Sequence, residues 1–174
     1  MQYRFGDNWN GFTGEPVDEI GEEQARRRWE KGPAFSVTRV SSAHNVPDWT
    51  LVVGPGGEYL EVSRYDENGS IVEVRHFGLE EGGEGVFLSQ VTTYVHADDA
   101  YGPQAFTEAV AHTIWQFWPD GRARRLQTIT SQPTARVTEY RDMDVSALWE
   151  PAPVYGDWDR WGDMPDPQTA PRSS

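Results

Sequence analysis

From Ala34 to about Met143 the chain alternates apolar with polar residues, and Gly, Pro, Asn and Asp interrupt the alternation at short intervals. Period-two patterning between turn residues predicts β-strands with one buried face, joined in sequence as an antiparallel meander. Eight strands are expected, at about 34–42, 48–53, 57–65, 70–78, 85–95, 105–118, 121–131 and 134–145. Two hairpins carry enough turn chemistry to set a register.

In the first, Tyr59 to Phe77, Glu67-Asn68-Gly69 reads as a three-residue loop, a type I turn with Gly in the left-handed bulge position, so that Asp66 opposes Ser70. Leu60, Val62 and Arg64 then pair with His76, Val74 and Val72 on an inward face, and Glu61 pairs with Arg75 outside. The second hairpin repeats the loop as Pro119-Asp120-Gly121. Trp118 faces Arg122, with Ile114 opposite Leu126, His112 opposite Thr128 and Val110 opposite Thr130. Its other face holds Ala111, Thr113, Trp115, Phe117 and Ile129, so this hairpin needs a cover on both sides.

Ahead of the strands, a helix is expected over about 16–31, with acidic residues at its start, basic residues at its end and Gly32-Pro33 as its stop. After them, residues 148–161 carry Trp149, Tyr155, Trp158 and Trp161 in a Pro-containing context and are expected to pack back on the sheet. Residues 162–174 read as a flexible terminus, leaving one domain over 1–161. A length of 174 residues suits one core, and eight Trp, seven Tyr and seven Phe supply it generously.

Eight meandering strands close readily into a small barrel, which removes exposed sheet edges and leaves room for one small ligand. The expected fold is mainly β, an antiparallel up-and-down β-barrel with one N-terminal helix and an irregular C-terminal tail. Trp9-Asn10-Gly11 ahead of the meander resembles the entry Trp-x-Gly of the lipocalin-like (calycin) barrels. That resemblance implies a ligand cavity enclosed by the strands.

A net charge of −13, with a single Lys among fifteen basic residues, repels nucleic acids and anionic membranes. Without Cys there are no disulfides, thiolate nucleophiles or Cys-rich metal sites, and the opening residues lack the apolar segment of a signal peptide. A cytoplasmic, soluble protein without a cofactor is expected. Of four histidines, His76 and His112 fall among Val, Leu and Ile as barrel-lining residues, where neutral imidazole serves as a base or a hydrogen-bond partner. They are the candidate catalytic pair. Arg64, Tyr94, Trp115, Trp118 and Tyr140 are candidate ligand-binding residues around them. His96-Ala97-Asp98-Asp99 has metal-ligand residue types, but one His beside two carboxylates in a loop is too common a pattern to mark a metal site.

The expected function is binding of a hydrophobic small molecule, extending to a cofactor-independent cyclisation or isomerisation in the barrel cavity. A different class is an acidic inhibitor of the immunity type that neutralises a basic protein partner, with Tyr155 to Trp161 as its aromatic contact surface.

Overall fold

The structure is a computed structural model and describes residues 2–40, 46–80, 85–97 and 102–165. Strand β1 (Gln2–Gly6) precedes a short antiparallel pair, β2 (Asn8–Asn10) with β3 (Glu15–Val17). Helix α1 (Glu22–Lys31) follows, then β4 (Phe35–Val40), β5 (Pro47–Val53), β6 (Tyr59–Tyr65), β7 (Ile71–Leu79) and β8 (Val86–Val95). The meander continues with β9 (Ala111–Phe117), β10 (Ala123–Ile129) and β11 (Arg136–Tyr140). Beyond it lie the two-residue strand β12 (Trp149–Glu150) and helix α2 (Trp158–Gly162).

The meander expected from the alternation is present, and every pairing in it is antiparallel. It is not a barrel of eight strands. It is an open sheet of ten, ordered β1-β4-β5-β6-β7-β8-β9-β10-β11, with β12 paired to β8 beyond the end of β9. Among the described residues nothing joins β1 to β11, so the two edges stay apart. The reason lies on the apolar face. Instead of being filled by side chains from opposite walls, it is filled by α1, by the segment around Met143–Trp149 and by α2.

The expected helix is shorter at its start because Glu15-Pro16-Val17 pairs with β2, while Ile20 bridges to Phe5. Pro16 suits such a two-stranded edge as well as it suits a first helical turn. Residues 105–110, expected to begin a strand, hold a single 3₁₀ turn, Phe106–Glu108, and leave the sheet.

Both hairpin turns form as the sequence indicates. Asp66 N–H bonds Ser70 O at 3.0 Å with Gly69 at φ +85°, and Trp118 N–H bonds Arg122 O at 3.0 Å with Gly121 at φ +84°. The second hairpin keeps the expected register throughout. The first does not. A second bulge opposes Arg64 with Glu73 and Tyr65 with Ile71, inserting Val72, so Val62 pairs with Arg75 and Glu61 with His76. Each bulge adds one unpaired residue and exchanges the two faces beyond it.

The sheet consequently has a core face and a polar face. Phe35, Val37, Trp49, Leu51, Val53, Leu60, Val62, Phe77, Val91, Trp115 and Phe117 form the core face together with Trp158 and Trp161, which are 3% and 1% exposed. The first hairpin also puts two arginines there, Arg64 and Arg75, and β4 adds Arg39. Arg39 Nε bonds Asp48 at 2.9 Å, its Nη1 bonds Asp159 at 2.8 Å, and both terminal nitrogens reach Asp163 at 2.7 and 2.6 Å. Arg64 donates to the carbonyls of Gly162 and Met164, and Arg75 donates to Glu73 at 2.7 Å and to the Pro165 carbonyl at 2.8 Å. A strap at 158–165 is thus tied across β4–β7 by indoles below and guanidinium groups along its length. Long polar side chains on a core face are tolerable because each charge is paired or hydrogen-bonded.

Candidate functional site

The polar face is built in rows that cross the strands. Register places Glu61, His76, Gln90, Gln116, Arg124 and Glu139 in one row. The neighbouring row holds Ser63, Val74, Thr92, Ile114, Leu126 and Val137. Tyr94, His112 and Thr128 lie one row further on.

A cleft of about 410 Å³ opens over the second and third rows at β8 and β9. Its floor is Gln90, Thr92, Tyr94, His112 and Ile114, and its wall is Phe106, Thr107, Ala109 and Thr130. The wall exists because residues 105–110 turn out of the sheet in the 3₁₀ turn and rejoin it where Val110 N–H bonds Val95 O at 2.8 Å. Thr130 Oγ1 donates to Ala109 O at 2.7 Å and fixes the far end of this wall. Phe106 and His112 flank the Tyr94 ring at centroid distances of 6.2 and 6.4 Å.

Tyr94 and His112 are half-buried, and neither side chain makes a hydrogen bond or ion pair with the described residues. Burial, with a smaller contribution from the charge of Glu61, pushes the Tyr94 phenol up from its ordinary value. Tyr94 is therefore a neutral O–H donor at physiological pH. His112 supplies a ring nitrogen of either role.

The remaining predicted site residues are not in this cleft. His76 lies on the same face but two strands and two rows from His112, roughly 16 Å away by strand spacing and rise. Its Nδ1 is 3.3 Å from Tyr59 Oη and 3.5 Å from Glu61 Oε2, so the pair His76 and His112 does not act on one point. The extra bulge is the cause, since it takes His76 off the face of Leu60 and Val62. Arg64, expected at a barrel mouth, is on the core face and holds the strap.

Trp115 and Tyr140 do come together, with centroids 5.3 Å apart, but on the core face. The Arg125 guanidinium lies 5.3 Å from the Trp115 ring and 6.0 Å from that of Tyr140. Trp118 lines a separate recess of about 280 Å³ with Tyr140, Arg122 and Arg141. Trp158 and Trp161, proposed as an interface with a basic partner, are internal and unavailable for contact. Of the loop considered for a metal, His96 bonds the Ile71 carbonyl at 2.9 Å, and Asp98 and Asp99 lie outside the described residues. No cluster of three or more metal-ligand side chains occurs among the described residues.

Sequence reasoning missed Phe106, Thr92 and Gln90. The signal for Thr92 was available, because it shares alternation parity with Tyr94 in strand 85–95. For Phe106 there was none, since 105–110 reads as a continuation of its strand. The chain matches no known family model, no curated protein and no solved structure. Among the described residues no helix is long and apolar enough to cross a membrane.

Proposed function

We propose that the protein binds a small molecule with an apolar body and at least one hydrogen-bonding group in the cleft over β8 and β9. The observation that carries this reading is a pair of polar groups without a hydrogen-bond partner among the described residues, Tyr94 Oη and the His112 imidazole, both lining one space with Phe106 and Ile114. A half-buried polar group without a protein partner retains hydrogen-bonding capacity that a ligand can use. The cleft volume lies in the usual range for ligand sites, with Phe106, Ile114 and the Tyr94 ring offering apolar contact to a ligand body and the polar side chains among them offering hydrogen bonds.

The same geometry supports chemistry without a cofactor. The His112 imidazole offers a ring nitrogen that can take or give a proton, and the protonated Tyr94 phenol stands beside it to stabilise a developing oxyanion. A cyclisation or isomerisation of a carbonyl compound needs no more from the protein than these two groups and a shaped wall. His76, held by Tyr59 and Glu61, takes no part in it.

Native mass spectrometry of the protein purified from its own host tests the reading. A retained small molecule is expected, lost in His112→Leu and weakened about tenfold in Tyr94→Phe, with the circular dichroism spectrum unchanged. An unchanged ligand load in a folded His112→Leu protein would overturn the assignment.

A further inference from the structure

We propose that Thr92 is the specificity-determining hydrogen-bond donor of the cleft, its proton aimed by a chain of side chains that starts at Arg124. The ligand class that follows carries an acceptor, such as a ketone, ester or carboxylate oxygen, on its apolar body. This inference rests on the cleft being a small-molecule site.

Arg124 is a member of the row whose polarity is fixed by chemistry. Arg has five N–H donors and no acceptor. Arg124 Nε lies 3.0 Å from the Gln116 amide, so the atom of Gln116 facing it is oxygen. The Gln116 NH₂ group then points the other way, to Gln90 at 3.3 Å, and must meet the Gln90 oxygen. Gln90 is turned in its place. Its NH₂ group faces Thr92 Oγ1 at 3.3 Å and makes the hydroxyl oxygen an acceptor.

A hydroxyl whose oxygen accepts from Gln90 still has its proton to donate, and the described residues offer Thr92 no acceptor. Its register neighbours on this face are Val74 and Ile114, which have no polar side-chain atoms. Thr92 is 4% exposed and lines the cleft floor. The proton is directed at the ligand volume, beside Tyr94 and His112. Discrimination by such a group is large compared with apolar contacts, because a ligand lacking the acceptor leaves a buried donor unpaired.

Gln116→Glu reverses the chain without changing its shape. A carboxylate has no donor, so Gln90 turns its NH₂ group toward it and presents oxygen to Thr92, whose proton then goes to Gln90. With 2-acetylnaphthalene as the acceptor probe and 2-ethylnaphthalene as its match, both followed by protein-observed NMR, the variant is expected to bind the ketone about tenfold more weakly. The hydrocarbon should change less than twofold. Thr92→Val should show the same selective loss, and the double variant no further loss.

Equal effects on both probes, or none on either, would overturn the role of Thr92. Side-chain amide NOEs give an arm that needs no ligand: Gln90 Hε2 protons near the Thr92 methyl in the native protein, and near residue 116 in Gln116→Glu. Identical NOE patterns in the two proteins would refute the chain of orientations itself. NOEs as expected, with neither naphthalene binding the native protein, would leave the chain standing and refute the cleft as a site for this ligand class.

Discussion

Replacing Gly162 by Ala adds one methyl group where the strap backbone presses on the Trp49 indole. A Cβ at this position would sit within van der Waals distance of three Trp49 ring atoms, closer than any real contact allows. Trp49 is 1% exposed and enclosed by the sheet, so the indole has nowhere to go. Two responses are open to the strap.

Full release would expose Trp158 and Trp161, each carrying roughly 150–250 Å² of surface, at a cost of about 4–6 kcal/mol apiece. A slide by about 1 Å keeps both rings buried. It instead gives up packing at the Trp161–Phe77 contact, where the centroids are 5.3 Å apart, and loosens the Arg39–Asp163 geometry. Overpacking of this kind costs about 1–3 kcal/mol. The slide is the cheaper response, and a loss of about 2–3 kcal/mol is expected with the fold retained.

Urea unfolding followed by tryptophan fluorescence reads this as a midpoint lowered by about 1–1.5 M at an m-value near 2 kcal/mol/M. Gly156→Ala is the control. That residue has open space around its Cβ but a φ of +92°, so only the backbone penalty of about 1 kcal/mol applies. Gly162→Ala costing no more than Gly156→Ala would refute the strap as a rigid, close-packed part of the core.

Glu73→Leu removes the carboxylate bonded to the 1% exposed Arg75 and is expected to cost about 3–5 kcal/mol, most of it recovered in Glu73→Leu/Arg75→Met; a loss under 1 kcal/mol in urea melts would contradict the pairing. The Arg39 guanidinium, hydrogen-bonded to Asp163, holds that carboxyl below its ordinary value. Asp163 therefore contributes its full stability above the unfolded-state pKa of about 3.9 and loses it as pH falls through the lower folded-state value. Trp fluorescence should report loosening of the strap below about pH 4, and Asp163→Asn should remove that step while lowering stability at pH 7.

The strand periods and both hairpin loops were legible because each turn names its own residues: Gly in the left-handed slot, Asp or Pro before it. The register of the second hairpin followed directly. That of the first did not, because the bulge at Val72 has no local signature. On the core face Arg75 meets the strap, whose Pro165 carbonyl lies 90 residues away, and a partner at that distance leaves no mark in the sequence near Val72. The same long-range partner explains why a barrel was expected and an open sheet is found. Alternation says that a face is buried, not what buries it.

For the site, His112 was placed by the register of its hairpin and Tyr94 was a candidate whose facing alternation left open; the two share a cleft because the register between their strands is regular. Trp115 and Tyr140 were named as aromatic residues of their strands; Trp115 belongs to the core, and Tyr140 packs against it while lining the recess beside Trp118. Phe106 lay hidden because leaving a strand for a single turn requires no Gly or Pro.

The strap also sets the order in which the molecule can be completed. The cavity that receives Trp158 and Trp161 is formed by Phe35, Trp49 and Phe77, all from the first half of the chain. Roughly 80 residues separate Phe77 from Trp158, a delay of about 4–16 s at 5–20 residues per second of synthesis. Throughout that interval β4–β7 are present without the indoles that finish their apolar side. The final packing of β4–β7 thus awaits a segment made about 80 residues after Phe77.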